Sequence, residues 1–158
     1  MRMRANPERT LGAALVVEDD DMIAQLLQLI LQREGYTPAR AWTRRSILSY
    51  MADQPPPQLI TLDWRLPDVT GLTVLEWVRS TPDWLDIPVL LVTGSSAGQG
   101  DLTQALAWDR VTYIGKPFSV AELSAAIRRV DTQDTPRRTL RAGTVAGALE
   151  IEEYTCQP

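Results

Sequence analysis

The feature that most limits how this chain can fold is a set of short runs that are apolar almost from end to end: "AALVV" (13–17), "QLITLD" (58–63) and "PVLLVT" (88–93). A strand with one wet face alternates apolar and polar residues, whereas a strand covered on both faces does not, so these runs read as strands of a buried parallel sheet. Segments of helical period lie between them. "MIAQLLQLILQREG" (22–35) brings Ile23, Leu26, Leu27, Ile30 and Leu31 to one side and closes on a glycine. "TRRSILSYMADQ" (43–54) is a second helix, stopped by Pro55, Pro56 and Pro57. "TVLEWVRS" (73–80) and "DLTQALAW" (101–108) are a third and a fourth, and "SVAELSAAIRRV" (119–130) is a fifth, opened by Ser119 and Glu122 as a capping box. "YTPARA" (36–41) supplies a strand whose proline suits a sheet edge, and "VTYIG" (111–115) supplies the last. Five strands alternating with five helices predict a doubly wound α/β domain built from right-handed crossovers.

Bulk properties narrow the chemistry. The chain has 158 residues and a formal net charge of -4, enough for one domain with some chain left over. That acidity argues against a bare grip on nucleic acid or on an anionic membrane. No run is long and apolar enough to span a bilayer, and "MRMRANPERT" is polar where a secretory signal needs an apolar core, so a cytoplasmic location is the expectation. Cys156 is the single cysteine, which excludes an internal disulfide. Histidine is absent, and with it the commonest general base and transition-metal ligand. Chemistry must run on carboxylates, hydroxyls and lysine. From residue 132 onward the composition turns polar and small without clear period, so 1–12 and 132–158 read as tails around a domain at 13–131, the second of them mobile.

In open parallel sheets ligands gather at the carboxyl ends of the strands, where the strand order reverses, so the residue that ends each run is the informative one. The first run ends in Glu18, Asp19 and Asp20, the third strand in Asp63 and the fourth in Thr93, while Lys116 and Pro117 follow the fifth. Each has a plain use when taken alone. Glu18 to Asp21 suit the cap and dipole of a helix, Asp63 suits a turn, Thr93 suits a cap, Lys116 suits a solvated surface and Tyr113 suits the core. None of these uses explains why all the groups fall on one edge of one sheet. Together they make a phosphoryl-transfer site: clustered oxygen ligands hold a hard cation such as Mg²⁺, a carboxylate attacks phosphorus, and a lysine and a hydroxyl meet the transferring oxygens. Arg65, two residues past Asp63, leaves by the same face if the strand continues, and its guanidinium would then lie beside the acids.

The pieces "LVVEDD", "LITLDWRLPDVTG", "PVLLVTG" and "YIGKPF" resemble, in order and spacing, the receiver domain of two-component response regulators over roughly residues 13–131. The resemblance implies a flavodoxin-like (βα)5 fold with strand order 2-1-3-4-5. It implies Asp63 as phosphoacceptor, with Asp19 a direct Mg²⁺ ligand, Glu18 acting through water and Arg65 offering its backbone carbonyl. It further implies Thr93 and Lys116 as phosphoryl-binding groups, a cis peptide at Pro117, and Tyr113 as a switch aromatic. The implied function is a phosphorylation-dependent switch that catalyses only its own phosphorylation and dephosphorylation. Its donor would be a sensor histidine kinase or histidine phosphotransfer protein, and its reader a downstream protein. Val111, Thr112 and Ala126 stand where the winged-helix branch of that family carries the charged residues of its dimer, which points to a monomer or weak dimer. No recognition helix follows, so direct nucleic-acid binding is not expected. Three other readings fit less well. A non-phosphorylated receiver-like docking module has no need of an intact acidic pair with Asp63, Thr93 and Lys116. A haloacid dehalogenase-type hydrolase needs an acid where Arg65 stands, and a flavin-binding protein needs a phosphate cradle where "EDDDM" would repel phosphate.

Overall fold

The computed structural model of the protein describes residues 10–94 and 99–132. Most of both expected tails, Cys156 included, lies outside the described residues. Five strands, β1 (Gly12–Val17), β2 (Tyr36–Ala41), β3 (Leu59–Asp63), β4 (Val89–Thr93) and β5 (Val111–Gly115), alternate with five helices. The helices are α1 (Asp21–Glu34), α2 (Arg44–Asp53), α3 (Gly71–Ser80), α4 (Gln99–Leu106) and α5 (Val120–Thr132). All strand pairs are parallel, in the order β2-β1-β3-β4-β5. The order reverses between β1 and β3, which opens the crevice at their carboxyl ends.

The continuous apolar runs are explained by two separate cores. Leu15, Val17, Ile60, Leu62, Val89 and Leu91 point to one side of the sheet and meet Ile47 of α2, Val74 and Leu75 of α3 and Ala105 of α4. Ala14, Val16, Leu59, Leu90 and Val92 point to the other and meet Leu27, Ile30 and Leu31 of α1 and Leu123 and Ile127 of α5. Each fully buried aliphatic side chain contributes roughly 1.5–3 kcal/mol, so the central strands hold the site from beneath with an apolar slab on both sides. Among the described residues no helix is long and apolar enough to cross a membrane.

Local chemistry sets the boundaries. Gly35 ends α1 in the left-handed region at φ 102, where a side chain would be strained. Thr43 and Ser46 cap α2 reciprocally. The expected capping box of α5 is present, with Glu122 Oε2 accepting from the Ser119 amide at 2.6 Å and Ser119 Oγ accepting from the Glu122 amide at 3.1 Å. α3 begins two residues earlier than its apolar period suggests, because Thr70 Oγ1 accepts from the Thr73 amide and caps the helix there. A short 3-10 turn, Pro82–Trp84, buries Trp84 with its ring edge-on to Tyr50, 6.2 Å between centroids. In α1 the fully buried stripe is Ala24, Leu27, Ile30 and Leu31, with Ile23 and Leu26 at its margin. Tyr113, which suits the core when taken alone, is 55% exposed, because β5 is an edge strand paired only with β4.

Candidate functional site

Four strand ends meet at the carboxyl edge of the sheet. Glu18, directly after β1, is 1% exposed, Asp63 at the end of β3 is 7% exposed and Thr93 at the end of β4 is 4% exposed. These are ordinary depths for an aliphatic residue and unusual ones for a charge, since a carboxylate away from water needs partners. Lys116, one residue past β5, provides them: its Nζ lies 3.0 Å from Glu18 Oε2 and 3.4 Å from Asp63 Oδ1. The Lys116 backbone amide donates to the Thr93 carbonyl at 2.7 Å, and the Lys116–Pro117 peptide is cis, as expected. Lysine is thus fastened at its main chain and aimed by its side chain.

One ammonium does not neutralise the cluster. Carboxylate oxygens of Glu18, Asp19 and Asp63 all lie within 4.8 Å of one another. Burial pushes the Glu18 carboxyl above the usual range, the Asp63 charge adds to that push, and hydrogen bonds from Lys116 and from the Asp20 amide oppose it. Three hard oxygen donors with an excess of negative charge, Asp19 being exposed, are the donor set that Mg²⁺ or a similar divalent ion takes. The residues fit such an ion.

The acidic run divides its labour. Asp20 turns away to cap α1, its Oδ1 accepting from the Met22 and Ile23 amides at 2.9 Å each, so it does not join the cluster its place at the strand end suggested. Asp21 pairs with Arg40. The Thr93 hydroxyl donates to the Gly94 carbonyl at 3.1 Å. β3 ends at Asp63, so strand alternation does not set the direction of the Arg65 side chain. Arg65 is exposed and forms an isolated antiparallel bridge with Thr70, while its amide approaches Asp63 Oδ1 at 3.4 Å. Gly71 seals this turn from below: its amide donates to the Trp64 carbonyl, and a Cβ there would sit 2.8 Å from the Asp63 carbonyl oxygen.

The sequence profile of the response regulator receiver domain matches residues 14–128. The chain belongs to the response regulator receiver family. This receiver is 34% identical over 122 residues to the phosphate regulon transcriptional regulatory protein PhoB of Klebsiella pneumoniae, covering 77% of this chain and 52% of that protein. It is 34% identical over 141 residues to the transcriptional regulatory protein KdpE of Mycobacterium tuberculosis, covering 89% of this chain and 58% of that one. The chain therefore spans about half the length of the curated relatives it matches. A CheY-like receiver domain protein from Methanospirillum hungatei is 28% identical, with a TM-score of 0.67 over 77% of this chain and 95% of its own. The chemotaxis response regulator CheY4 of Vibrio cholerae shares the fold at 24% identity, with a TM-score of 0.68 over 77% of this chain and 99% of that chain. One residue of this receiver that no sequence feature singles out is Arg40, whose side chain reaches the acidic loop from the edge strand. Only the register of β2 on β1 brings it there.

Proposed function

We propose that residues 13–131 act as a phosphorylation-dependent signalling switch, with Asp63 taking a phosphoryl group from the phosphohistidine of a sensor kinase or histidine phosphotransfer protein. The observation that carries this reading is the buried Asp63 carboxylate, held at a strand end with Glu18 and Asp19 beside it and one lysine 3.4 Å away. Stability alone does not favour such a group there, and nucleophilic attack on phosphorus needs it. Glu18, Asp19, Asp63 and the Arg65 carbonyl are the groups that would hold Mg²⁺, which when bound neutralises charge on the transferring phosphoryl oxygens.

The chain's own groups do the rest. A carboxylate oxygen of Asp63 attacks phosphorus while the donor imidazole leaves. Lys116 transfers its ion pair from the resting carboxylates to the new phosphoryl oxygens. Thr93 exchanges its bond to the Gly94 carbonyl for one to the phosphoryl group, and the exposed Tyr113 ring follows it inward, which changes the face offered to a downstream protein. The chain acts only on itself, gaining and then hydrolysing one acyl phosphate. PhoB and KdpE carry names of transcriptional regulatory proteins. In this reading the described residues supply the switch, and any output lies elsewhere.

The test is exposure of the full chain to acetyl phosphate with Mg²⁺, read by intact mass. Wild type should gain one phosphoryl group, and neither wild type in EDTA nor Asp63→Asn should gain any. Equal phosphorylation of Asp63→Asn would overturn the assignment.

A further inference from the structure

Arg40 lies on β2 in register with Val16 of β1, and its side chain runs along the sheet edge to the loop between β1 and α1. Its Nε donates to the Glu18 carbonyl at 3.0 Å, its Nη2 to the Asp19 carbonyl at 2.9 Å and its Nη1 to Asp21 Oδ1 at 2.7 Å. The side chain is only 17% exposed, and its guanidinium lies over the Trp42 ring, 4.6 Å from the centroid. The Glu18 carbonyl belongs to the peptide plane before Asp19, and the Asp19 carbonyl to the plane after it. One planar cation therefore holds both planes that set the backbone angles of Asp19.

We propose that Arg40 is a positioning residue of the acidic centre: it fixes the loop after β1 so that the Glu18 and Asp19 carboxylates stay turned toward Asp63. The proposal rests on the metal-binding reading above. Three carboxylates within 4.8 Å repel one another, and Asp19 is the exposed member, with water on its other side. A loop free to relax would swing it outward. Arg40 prevents this through the backbone and commits its remaining contact to Asp21, so that none of these three bonds competes with a cation for the Asp19 carboxylate. The fixed fork of a guanidinium suits several separated acceptors, and Trp42 beneath it holds the plane. Lysine, a single point charge, cannot hold all three in the same way.

Two effects of Arg40 oppose each other, and this gives the test its sign. A positive charge near the site repels an incoming Mg²⁺, so an arginine that acted by charge alone would weaken binding, and Arg40→Met would tighten it. A positioning arginine strengthens binding, and its loss weakens it. The experiment is a Mg²⁺ titration of the full chain by Trp64 fluorescence, confirmed by calorimetry, for wild type, Arg40→Met, Arg40→Lys and Asp19→Asn, with a metal-free thermal melt of each. Arg40→Met should raise the Mg²⁺ Kd about 10- to 100-fold, the range seen when a residue that orients a metal ligand is lost. Arg40→Lys should melt near wild type and recover only part of the affinity. In acetyl phosphate reactions, Arg40→Met should raise the Mg²⁺ concentration at half-maximal rate while saturating Mg²⁺ restores the maximal rate, a split that general loss of structure would not produce. An Arg40→Met Kd at or below wild type, or full recovery by Arg40→Lys, would overturn the proposal and leave the metal reading standing. A wild type without any Mg²⁺ response would overturn both.

Discussion

The two ends of the sheet are made by the same strands and differ in what they bury. At the amino end a cavity of 440 Å³ is lined by apolar residues such as Tyr36, Ile87 and Val130 together with Asp83, Asp86 and Arg110, and both of those carboxylates are exposed. At the carboxyl end Glu18 and Asp63 are withdrawn from water, with Lys116 between them. The amino end follows the ordinary rule that charges stay solvated and apolar groups do not. The carboxyl end breaks that rule with three converging carboxylates and one ammonium, an arrangement that lowers stability unless a cation completes it. One end keeps its carboxylates in water; the other buries Glu18 and Asp63.

That contrast is most sharply drawn by one substitution at each end. Ile87, two residues before β4, is 6% exposed, and Ile87→Ala should cost roughly 2–5 kcal/mol of unfolding free energy while leaving the Mg²⁺ response intact. Asp19→Asn should do the opposite, abolishing the Mg²⁺-dependent Trp64 signal without lowering the melting temperature of the metal-free protein, since it relieves repulsion in the cluster. Chemical denaturation and metal titration on the same two proteins separate the effects. A large loss of stability in Asp19→Asn would break the division between the ends.

Gly71 tests where the division fails by design. A Cβ at this position meets the Asp63 carbonyl oxygen at 2.8 Å and the Trp64 Cα at 2.9 Å, both backbone atoms that a rotamer change cannot move. Gly71→Ala should therefore lower stability by about 1–3 kcal/mol, the usual range for overpacking, and weaken Mg²⁺ binding at the same time by displacing Asp63. Loss of one property without the other would show that the turn after β3 is not the rigid floor of the site.

These cases also show how much was legible before the structure. The doubly wound order could be read because both-sided burial leaves continuous apolar runs, and the strand ends could be read because parallel topology gathers them on one edge. Burial at the edge strand could not, so Tyr113 fits a core position by type and stands in solvent by place. The acidic run could not be divided either. Whether an aspartate caps a helix or faces a metal depends on the turn geometry of one residue, and Asp20 has the extended conformation of a cap, at φ -71 and ψ 119. Arg40 lies 22 residues from Glu18 in sequence, and only strand register brings them together. Trp84 was hidden because a single 3-10 turn has no period to detect.

The smallest expected effect lies away from both ends, where Arg128 of α5 grips Glu34 of α1 through two bonds of 2.8 and 3.0 Å. The hydrogen bond from Arg128 holds the Glu34 carboxyl below its usual 4.5 despite partial burial. A carboxyl whose folded value is lowered binds fewer protons folded than unfolded, so it contributes stability above about pH 4.5 that disappears as pH falls through the folded value. Glu34→Gln should lower the melting temperature slightly at pH 7, and the difference from wild type should vanish in acid. A difference that persists unchanged at pH 3 would assign the effect to packing instead.

The central claim is that Asp63 carries the phosphoryl group, and the most direct measurement reads the position itself. After reaction with acetyl phosphate and Mg²⁺, borohydride reduces an aspartyl phosphate to homoserine, which peptide mass mapping locates. The expected result is homoserine at position 63 alone, absent without Mg²⁺. Homoserine at position 19 or 20, or a phosphorylated chain with none at 63, would contradict it.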